Sequence, residues 1–258
     1  MHSSDRLALI TGTSRGIGAA VADRLIERGW NVVGIARRDA TLDHPRYRHL
    51  HLDLAESAAL AEKIERELGT LVSDSRWRRV GLVNNAAIGS ALGPVEQIDP
   101  VELARLGAVN WIAPTWLMGF VVRRARADAA LRIVNVSSGA ATSARLGAAG
   151  YSGSKAAINM LTEALAIELG PHGIRVNAVA PGLVTDTALS ATDSRLTPYM
   201  RMMLEMTPLG RTGAPADIAE VIVFVASERN AWMTGSIVDV SGGSHTGRPH
   251  VPLPRPPE

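Results

Sequence analysis

Short apolar runs alternate with longer stretches of helical period along most of the chain. RLALIT (6–11), NVVGIA (31–36), GLVN (81–84), LRIVNVS (131–137), IRVNAVA (174–180) and SIVDV (236–240) read as buried strands. YRHLHLD (47–53) alternates polar and apolar positions more clearly, which suits a strand nearer a sheet edge. Between them, the stretches at about 16–28, 55–68, 100–125, 152–169 and 215–227 carry apolar residues at helical spacing. Strands separated by helices in this order predict a parallel sheet covered on both faces. Right-handed crossovers leave chiefly the α/β doubly wound topology, here with about seven strands. In such a sheet the loops at strand C-terminal ends share one edge, and ligands bind there.

The 258 residues suffice for one large α/β domain, expected over 1–246, with a substrate lid over about 187–214. Five prolines in the last ten residues make 247–258 an extended tail that continues no helix or strand. A hydrophobic fraction of 46% with 20% charged residues is that of a soluble globular protein. No apolar run approaches the ~20 residues of a membrane span. The five apolar residues ahead of the first glycine loop are too few for a secretory signal core. With no cysteine there is no disulfide and no thiolate metal site, which fits the cytoplasm. A net charge of +2 gives little attraction to nucleic acid or an acidic membrane, so neither is expected as a partner. The basic clusters RWRR (76–79) and RRAR (123–126) read as a solvated loop and a solvated helix face.

TGTSRGIG (11–18) follows the first strand and opens a helix. Gly12, Gly16 and Gly18 let the backbone turn tightly, so that a pyrophosphate can approach helix-terminal N–H groups. Gly12, Ser14, Arg15, Gly16, Ile17 and Gly18 are thereby candidate dinucleotide-binding residues. The second strand ends in GIARRD, placing Arg37 and Arg38 where sites for NAD carry an acid for the ribose 2′-hydroxyl. Guanidinium groups suit a 2′-phosphate, so NADPH is expected over NADH. Asp53 and Leu54 follow the third strand. Asp53 can accept a bond from the adenine amino group or cap the helix that begins near Glu56, and both readings stay open.

The 27 basic residues comprise 25 arginines and only two lysines, Lys63 and Lys155. Lys155 stands four residues after Tyr151, which puts both on one face at the start of a helix. A phenol near pKa ~10 is a poor base at neutral pH. An ammonium ~4 Å away, at an effective dielectric of ~20, stabilises its phenolate by ~4 kcal/mol. Such a tyrosine can pass the proton of an alcohol while hydride moves to or from a nicotinamide. A compact ammonium serves that task better than a forked guanidinium and can also bond ribose hydroxyls.

TGTSRGIG, NNAA, VNVSS, YSGSK and NAVAPG occur in this order over nearly the whole chain. Together they resemble the short-chain dehydrogenase/reductase family, in its compact branch that includes 3-oxoacyl-carrier-protein reductases. The resemblance implies a Rossmann-type fold and a catalytic tetrad of Asn110, Ser138, Tyr151 and Lys155. In it Tyr151 gives or takes the proton, while Lys155 tunes it and holds the nicotinamide ribose. Ser138 hydrogen-bonds the substrate oxygen, with Ser137 as competitor. Asn110 kinks its helix and anchors a water chain leading from the lysine to solvent. The resemblance also places Asn85 and Ala86 beside the adenosine half of the cofactor. Pro181, Gly182 and Val184 lie over the nicotinamide carboxamide. A homotetramer or homodimer is implied in the same way. Two positions depart from the pattern: Ala87 replaces a usual glycine, and Asp186, between Thr185 and Thr187, replaces a usual threonine.

Within the lid, Tyr199, Met202, Met203 and Met206 recur at i, i+3, i+4 and i+7. A methionine stripe adapts to varied apolar carbonyl compounds, and it equally packs against the protein's own core. The reading that follows is an NADPH-dependent carbonyl reductase making an alcohol from a ketone or aldehyde. Its rivals are a dehydrogenase oxidising a sugar, polyol or hydroxysteroid with NADP or NAD, and a cofactor-binding regulator without turnover.

Overall fold

A computed structural model describes residues 4–185 and 198–246. The apolar runs form β1 (Arg6–Thr11), β2 (Asn31–Ala36), β4 (Arg79–Asn84), β5 (Ala130–Val136), β6 (Arg175–Pro181) and β7 (Ile237–Val240); β7, expected to be buried, is only partly so, because it is an edge strand. The alternating run is β3 (Tyr47–His51). These seven strands make one parallel sheet in the order β3-β2-β1-β4-β5-β6-β7, with β3 at an edge as its alternation predicts. The order reverses between β1 and β4. That opens a crevice beyond their C-terminal ends, where doubly wound sheets take their ligands.

Helices cover both faces. On one, α1 (Gly16–Glu27) packs beside α7 (Pro215–Ala226), and Val21, Leu25, Ile218 and Ile222 meet Ala8, Ile10 and Val134 of the sheet. On the other lie α2 (Ser57–Val72), α4 (Ala113–Arg124) and α5 (Ala149–Leu169), whose Ile64, Leu68, Leu117 and Phe120 cover Leu9, Leu82 and Ile133. Two-sided burial explains why the inner strands read as continuous apolar runs.

The single helix expected over 100–125 is three pieces. Asp99 caps α3 (Pro100–Gly107) by accepting the Val101 N–H at 2.9 Å. A π-helical turn then spans Ala108–Ile112 before α4 resumes. Pro114 supplies the physical cause. It has no N–H for the carbonyl four residues back, that of Asn110, so the α-helical ladder breaks at that residue. A further short helix, α6 (Pro198–Glu205), falls within the stretch read as a lid.

The two basic clusters are ion-paired. Arg123 and Arg124 reach Glu65, Arg126 reaches Asp128, Arg78 reaches Asp128, and Arg79 reaches Asp5 and Glu228. In RWRR, Trp77 is buried and donates its indole N–H to the Leu71 carbonyl at 2.7 Å. Among the described residues, no helix is long and apolar enough to cross a membrane.

Candidate active site

A cavity of ≈ 830 Å³ opens at the C-terminal ends of the strands, large enough for a dinucleotide with a small substrate beside it. Its floor begins with the glycine loop. Gly12 and Gly16 have φ of 78° and 64°, the left-handed region that a glycine occupies without strain. Gly18 is buried in α1 and is not among the residues that line the cavity. A Cβ there would stand 2.3 Å from the Gly12 carbonyl oxygen, so this glycine lets helix and loop meet. Gly12, Ser14, Arg15, Gly16 and Ile17 do line the cavity.

Asn85 and Thr11 hold this loop in place. The Asn85 amide donates to the carbonyls of Thr11 at 2.9 Å and Gly12 at 3.2 Å. Thr11 Oγ1 accepts the N–H groups of Asn85 and Ala86, each at 3.0 Å. Asn85 and Ala86 line the cavity as expected, but the Asn85 side chain is already engaged with backbone and acts by positioning the loop. Ala87, the departure in NNAA, also lines the cavity, its methyl being accommodated there.

Arg37 and Arg38 are exposed and line the far end of the cavity with Arg15, Asp53 and the buried Leu54. The structure corrects one of the two open readings of Asp53. It does not cap α2, whose N-cap is Glu56. Instead Asp53 accepts the Ala55 N–H at 3.0 Å and lies 3.5 Å from Arg37. Arg15 and Arg38 form no salt bridge among the described residues, so three cations face one carboxylate there. Asp39 turns away and pairs with His51 at 3.1 Å.

The other end of the cavity is assembled from β5 and α5. Ser137 and Ser138 take different fates. Ser137 is buried and donates to Asn159 Oδ1 at 2.6 Å, which commits its hydroxyl. Ser138 is half-buried on the cavity wall, where its hydroxyl accepts the Ala140 N–H at 3.2 Å. Tyr151 and Lys155 both line the same wall. Lys155 is 3% exposed and donates to the Val136 carbonyl at 2.8 Å, with its ammonium 6.0 Å from the centre of the Tyr151 ring. Burial alone, which disfavours the charged form, pulls its pKa down to about 8.

Asn110 is buried and does not reach the cavity. Its Oδ1 accepts the Ile88 N–H at 2.9 Å, and its Nδ2 donates to the Ile88 carbonyl at 3.0 Å and to Ser154 Oγ at 3.1 Å. Ser154 in turn donates to the Tyr151 carbonyl at 2.7 Å. Asn110 thus sits at the π-turn as expected, tying the loop after β4 to the first turn of α5.

Pro181, Gly182 and Val184 line the cavity, and Val184 is fastened by the Gly213 N–H donating to the Leu183 carbonyl at 2.9 Å. Thr185 bonds the Gly213 carbonyl, while Asp186 and Thr187 lie outside the described residues. The methionine stripe is placed differently from the expectation. Met200, absent from that stripe, lines the cavity; Met203 is buried and Met202 is half exposed. The side chain of Tyr199 and the lid residues 187–197 lie outside the described residues, as does the tail 247–258. Arg145, Leu146 and Leu92, not among the residues expected from the sequence, also line the cavity. The signal available for the first two was their place between Ser138 and Tyr151, a connection that has to pass over the site.

The chain matches, over residues 12–245, the family model described as enoyl-(acyl carrier protein) reductase. It belongs to the short-chain dehydrogenase/reductase family, a family of oxidoreductases. A 3-oxoacyl-[acyl-carrier-protein] reductase of Vibrio harveyi is 32% identical, the match covering 95% of this chain and 99% of that protein. An L-xylulose reductase of Mesocricetus auratus is 34% identical over 92% of this chain and 96% of its own. Among solved structures, a 4-hydroxyisoleucine dehydrogenase mutant complexed with NADH and succinate superposes with a TM-score of 0.85. It is 26% identical, with 94% of this chain and 100% of that chain covered.

Proposed function

We propose that the protein is an NADPH-dependent reductase that converts a ketone or aldehyde to an alcohol. The observation that carries this reading is the convergence of Ser138, Tyr151 and Lys155 on one cavity wall, continuous with the glycine loop. The cavity fits a dinucleotide: the loop offers a close backbone approach at Gly12 and Gly16 and the N-terminus of α1 beyond them. Gly12, Ser14, Arg15, Gly16 and Ile17 would hold the pyrophosphate region, and Asp53 and Leu54 the adenine end. Pro181, Gly182 and Val184 would border the nicotinamide. When bound, the coenzyme supplies the hydride that the carbonyl carbon accepts.

The chain's own residues do the rest. Ser138, facing the cavity, donates its hydroxyl to the carbonyl oxygen and orients it. Tyr151 gives its phenolic proton to that oxygen as the alcohol forms, and the phenolate is left. Lys155, whose ammonium lies 6.0 Å from the centre of the Tyr151 ring, stabilises the phenolate by Coulomb attraction. Asn110 acts as a positioning residue, since its bonds reach Ile88 and Ser154 and not the cavity.

Preference for the 2′-phosphate rests on three guanidiniums, Arg15, Arg37 and Arg38, against one carboxylate at the adenosine end. The solved neighbour is complexed with NADH, so this arginine cluster is the sole ground for proposing NADPH here. We also propose assembly as a homotetramer or homodimer. Met160 and Ile167 on α5, with Trp111 and Ile112 ahead of α4, expose apolar surface that a second copy would cover. Following nucleotide absorbance with a panel of acyl thioesters, diketones, sugars and steroids, with NADPH and then NADH, tests the assignment. Turnover of at least one carbonyl compound, faster with NADPH, is expected; no turnover with either nucleotide would overturn it.

A further inference from the structure

The end of the sheet opposite the cavity carries a pair of cations. Arg132 on β5 and Arg175 on β6 are register partners on adjacent strands, which lie about 4.8 Å apart. The apolar alternation says which way they point. Leu131, Ile133 and Val176 pack under α2, α4 and α5, whereas Val134 and Val179 pack under α1 and α7. Both arginines therefore project to the α1–α7 side, near the N-terminal ends of their strands, where α7 finishes.

Each guanidinium is held by backbone. Arg175 Nη2 donates to the carbonyl of Ser227, the C-cap of α7, at 3.0 Å. Arg132 Nη1 donates to the carbonyls of Leu131 at 2.7 Å and Gly173 at 3.2 Å. The surroundings are fastened as well. The Asn230 amide donates to the Val225 carbonyl, and the Asn177 amide to the Met233 carbonyl, each at 2.9 Å. Clamping backbone accounts for one nitrogen of each guanidinium. Arg175 Nη1 is shut off from solvent with no hydrogen-bond partner. A guanidinium donates and never accepts, so only an acceptor can complete it.

No carboxylate answers this charge. Among the described residues neither Arg132 nor Arg175 forms a salt bridge; Glu228, which follows Ser227, pairs instead with Arg79 on β4, as does Asp5. Burial pulls the Arg132 guanidinium down to about 10, and the charge of Arg175 beside it adds to the effect. Burial lowers Arg175 in the same direction. Partly buried charges are ordinarily paired with opposite ones, and here two of the same sign adjoin.

We infer that Arg132 and Arg175 form a binding site for a phosphate-type oxyanion, at the end of the sheet remote from the coenzyme arginines. A tetrahedral oxyanion has oxygens enough to accept from both guanidiniums at once, and planar forks match such groups with paired N–H···O bonds. It would offset the repulsion between the two cations and give Arg175 Nη1 the acceptor it lacks. Bound there, one ion would join β5, β6 and the end of α7, so it should stabilise the folded chain. Free phosphate and a phosphate monoester share this chemistry. The site is independent of the reductase reading.

Calorimetric titration of the full chain with inorganic phosphate and with glycerol 3-phosphate, at constant ionic strength, tests it. The wild type should bind phosphate saturably, and its melting temperature should rise with phosphate. Arg132→Gln should weaken binding at least tenfold and cancel that rise. Arg132→Lys keeps the charge, loses the fork and should fall between the two; the melting temperatures without phosphate show whether each variant is folded. Arg37→Asp, which alters the coenzyme end, should keep the binding. A tighter fit for the monoester would identify a phosphorylated metabolite as the ligand, and equal or weaker binding the free ion. No saturable binding to the wild type, or equal binding to the wild type and Arg132→Gln, would overturn the site. Binding kept in Arg132→Gln and lost in Arg37→Asp would also overturn it, while supporting the phosphate reading of the coenzyme end.

Discussion

The two ends of the cavity share one sheet edge but are built from different material. At the adenosine end the shape is made by backbone. The glycine loop is cradled by Thr11 and Asn85, and the charged groups Arg37 and Arg38 stand exposed at its margin. At the carbonyl end the shape is made by side chains whose surroundings fix them. Lys155 is buried on the Val136 carbonyl, and the first turn of α5 is laced through Ser154 to Asn110 and Ile88. Exposed charges on flexible stems can be exchanged with little disturbance to the fold, so changes there should alter which nucleotide binds. A buried ammonium beside a phenol has no substitute nearby, so changes there should alter rate.

The sharpest way to break this contrast is at Tyr151. Tyr151→Phe removes the proton and leaves the ring, and kcat should fall about 10³-fold. Binding of NADPH, followed by its fluorescence, should change by less than threefold. Retained turnover would refute the proton transfer, and lost nucleotide binding would erase the division between the two ends. The converse test falls on Arg37. Arg37→Asp replaces a cation by an anion beside Asp53 and should weaken NADPH binding about 100-fold relative to NADH, roughly a lost charged hydrogen bond of 2–3 kcal/mol. Equal losses for the two nucleotides would remove the ground for a 2′-phosphate.

The same contrast explains what could be read from the sequence. The inner strands are legible because burial on both faces leaves an uninterrupted apolar run, and the alternation of YRHLHLD marks the edge strand β3; SIVDV reads as buried too, although β7 is the other edge and only partly buried. The glycine loop and the Tyr151–Lys155 pair were equally plain, since steric need and helical spacing constrain residue type and position together. The break at Asn110 was not read from the residues, although Pro114 four positions on carries its cause; only the family likeness placed a kink there. Gly18 looks like the other loop glycines in sequence, and its missing Cβ serves a helix-to-loop contact. Arg145 and Met200 were missed for a different reason. They sit on a turn and a short helix whose geometry no periodicity dictates, so nothing along the chain said which side chain faces the cavity.

The pH dependence sharpens the comparison from the carbonyl end. Burial lowers Lys155 to about 8 from 10.5, so the ammonium is the main form at pH 7 and is lost as pH rises through about 8. If the ammonium is needed, kcat/KM for reduction should fall above pH 8, by about tenfold for each further unit. Unfolding would not mimic this. The folded pKa lies below the unfolded one, so between about 8 and 10.5 the unfolded chain binds more proton and stability rises with pH from this group. A falling rate with an unfalling melting temperature is therefore the expected signature. Lys155→Arg keeps its charge in this range and should move the alkaline limb upwards; an unchanged limb would contradict the role given to Lys155.

The smallest effect lies on α6, where Met200 and Met202 occupy opposite circumstances two residues apart. Met200 is buried and faces the cavity, and Met202 is half exposed. If an apolar substrate body rests on this helix, Met200→Ala removes contact that Met202→Ala does not. One methylene's worth of burial, ~0.8 kcal/mol, corresponds to roughly a fourfold rise in KM. Met200→Ala should show about that rise, and Met202→Ala should stay within twofold of the wild type. The melting temperature of each variant separates lost contact from a loosened helix. A larger KM effect from Met202 than from Met200 would mean that α6 presents its other face to the substrate. The apolar side of the carbonyl end would then have to be sought at the rim formed by Leu92 and Leu146.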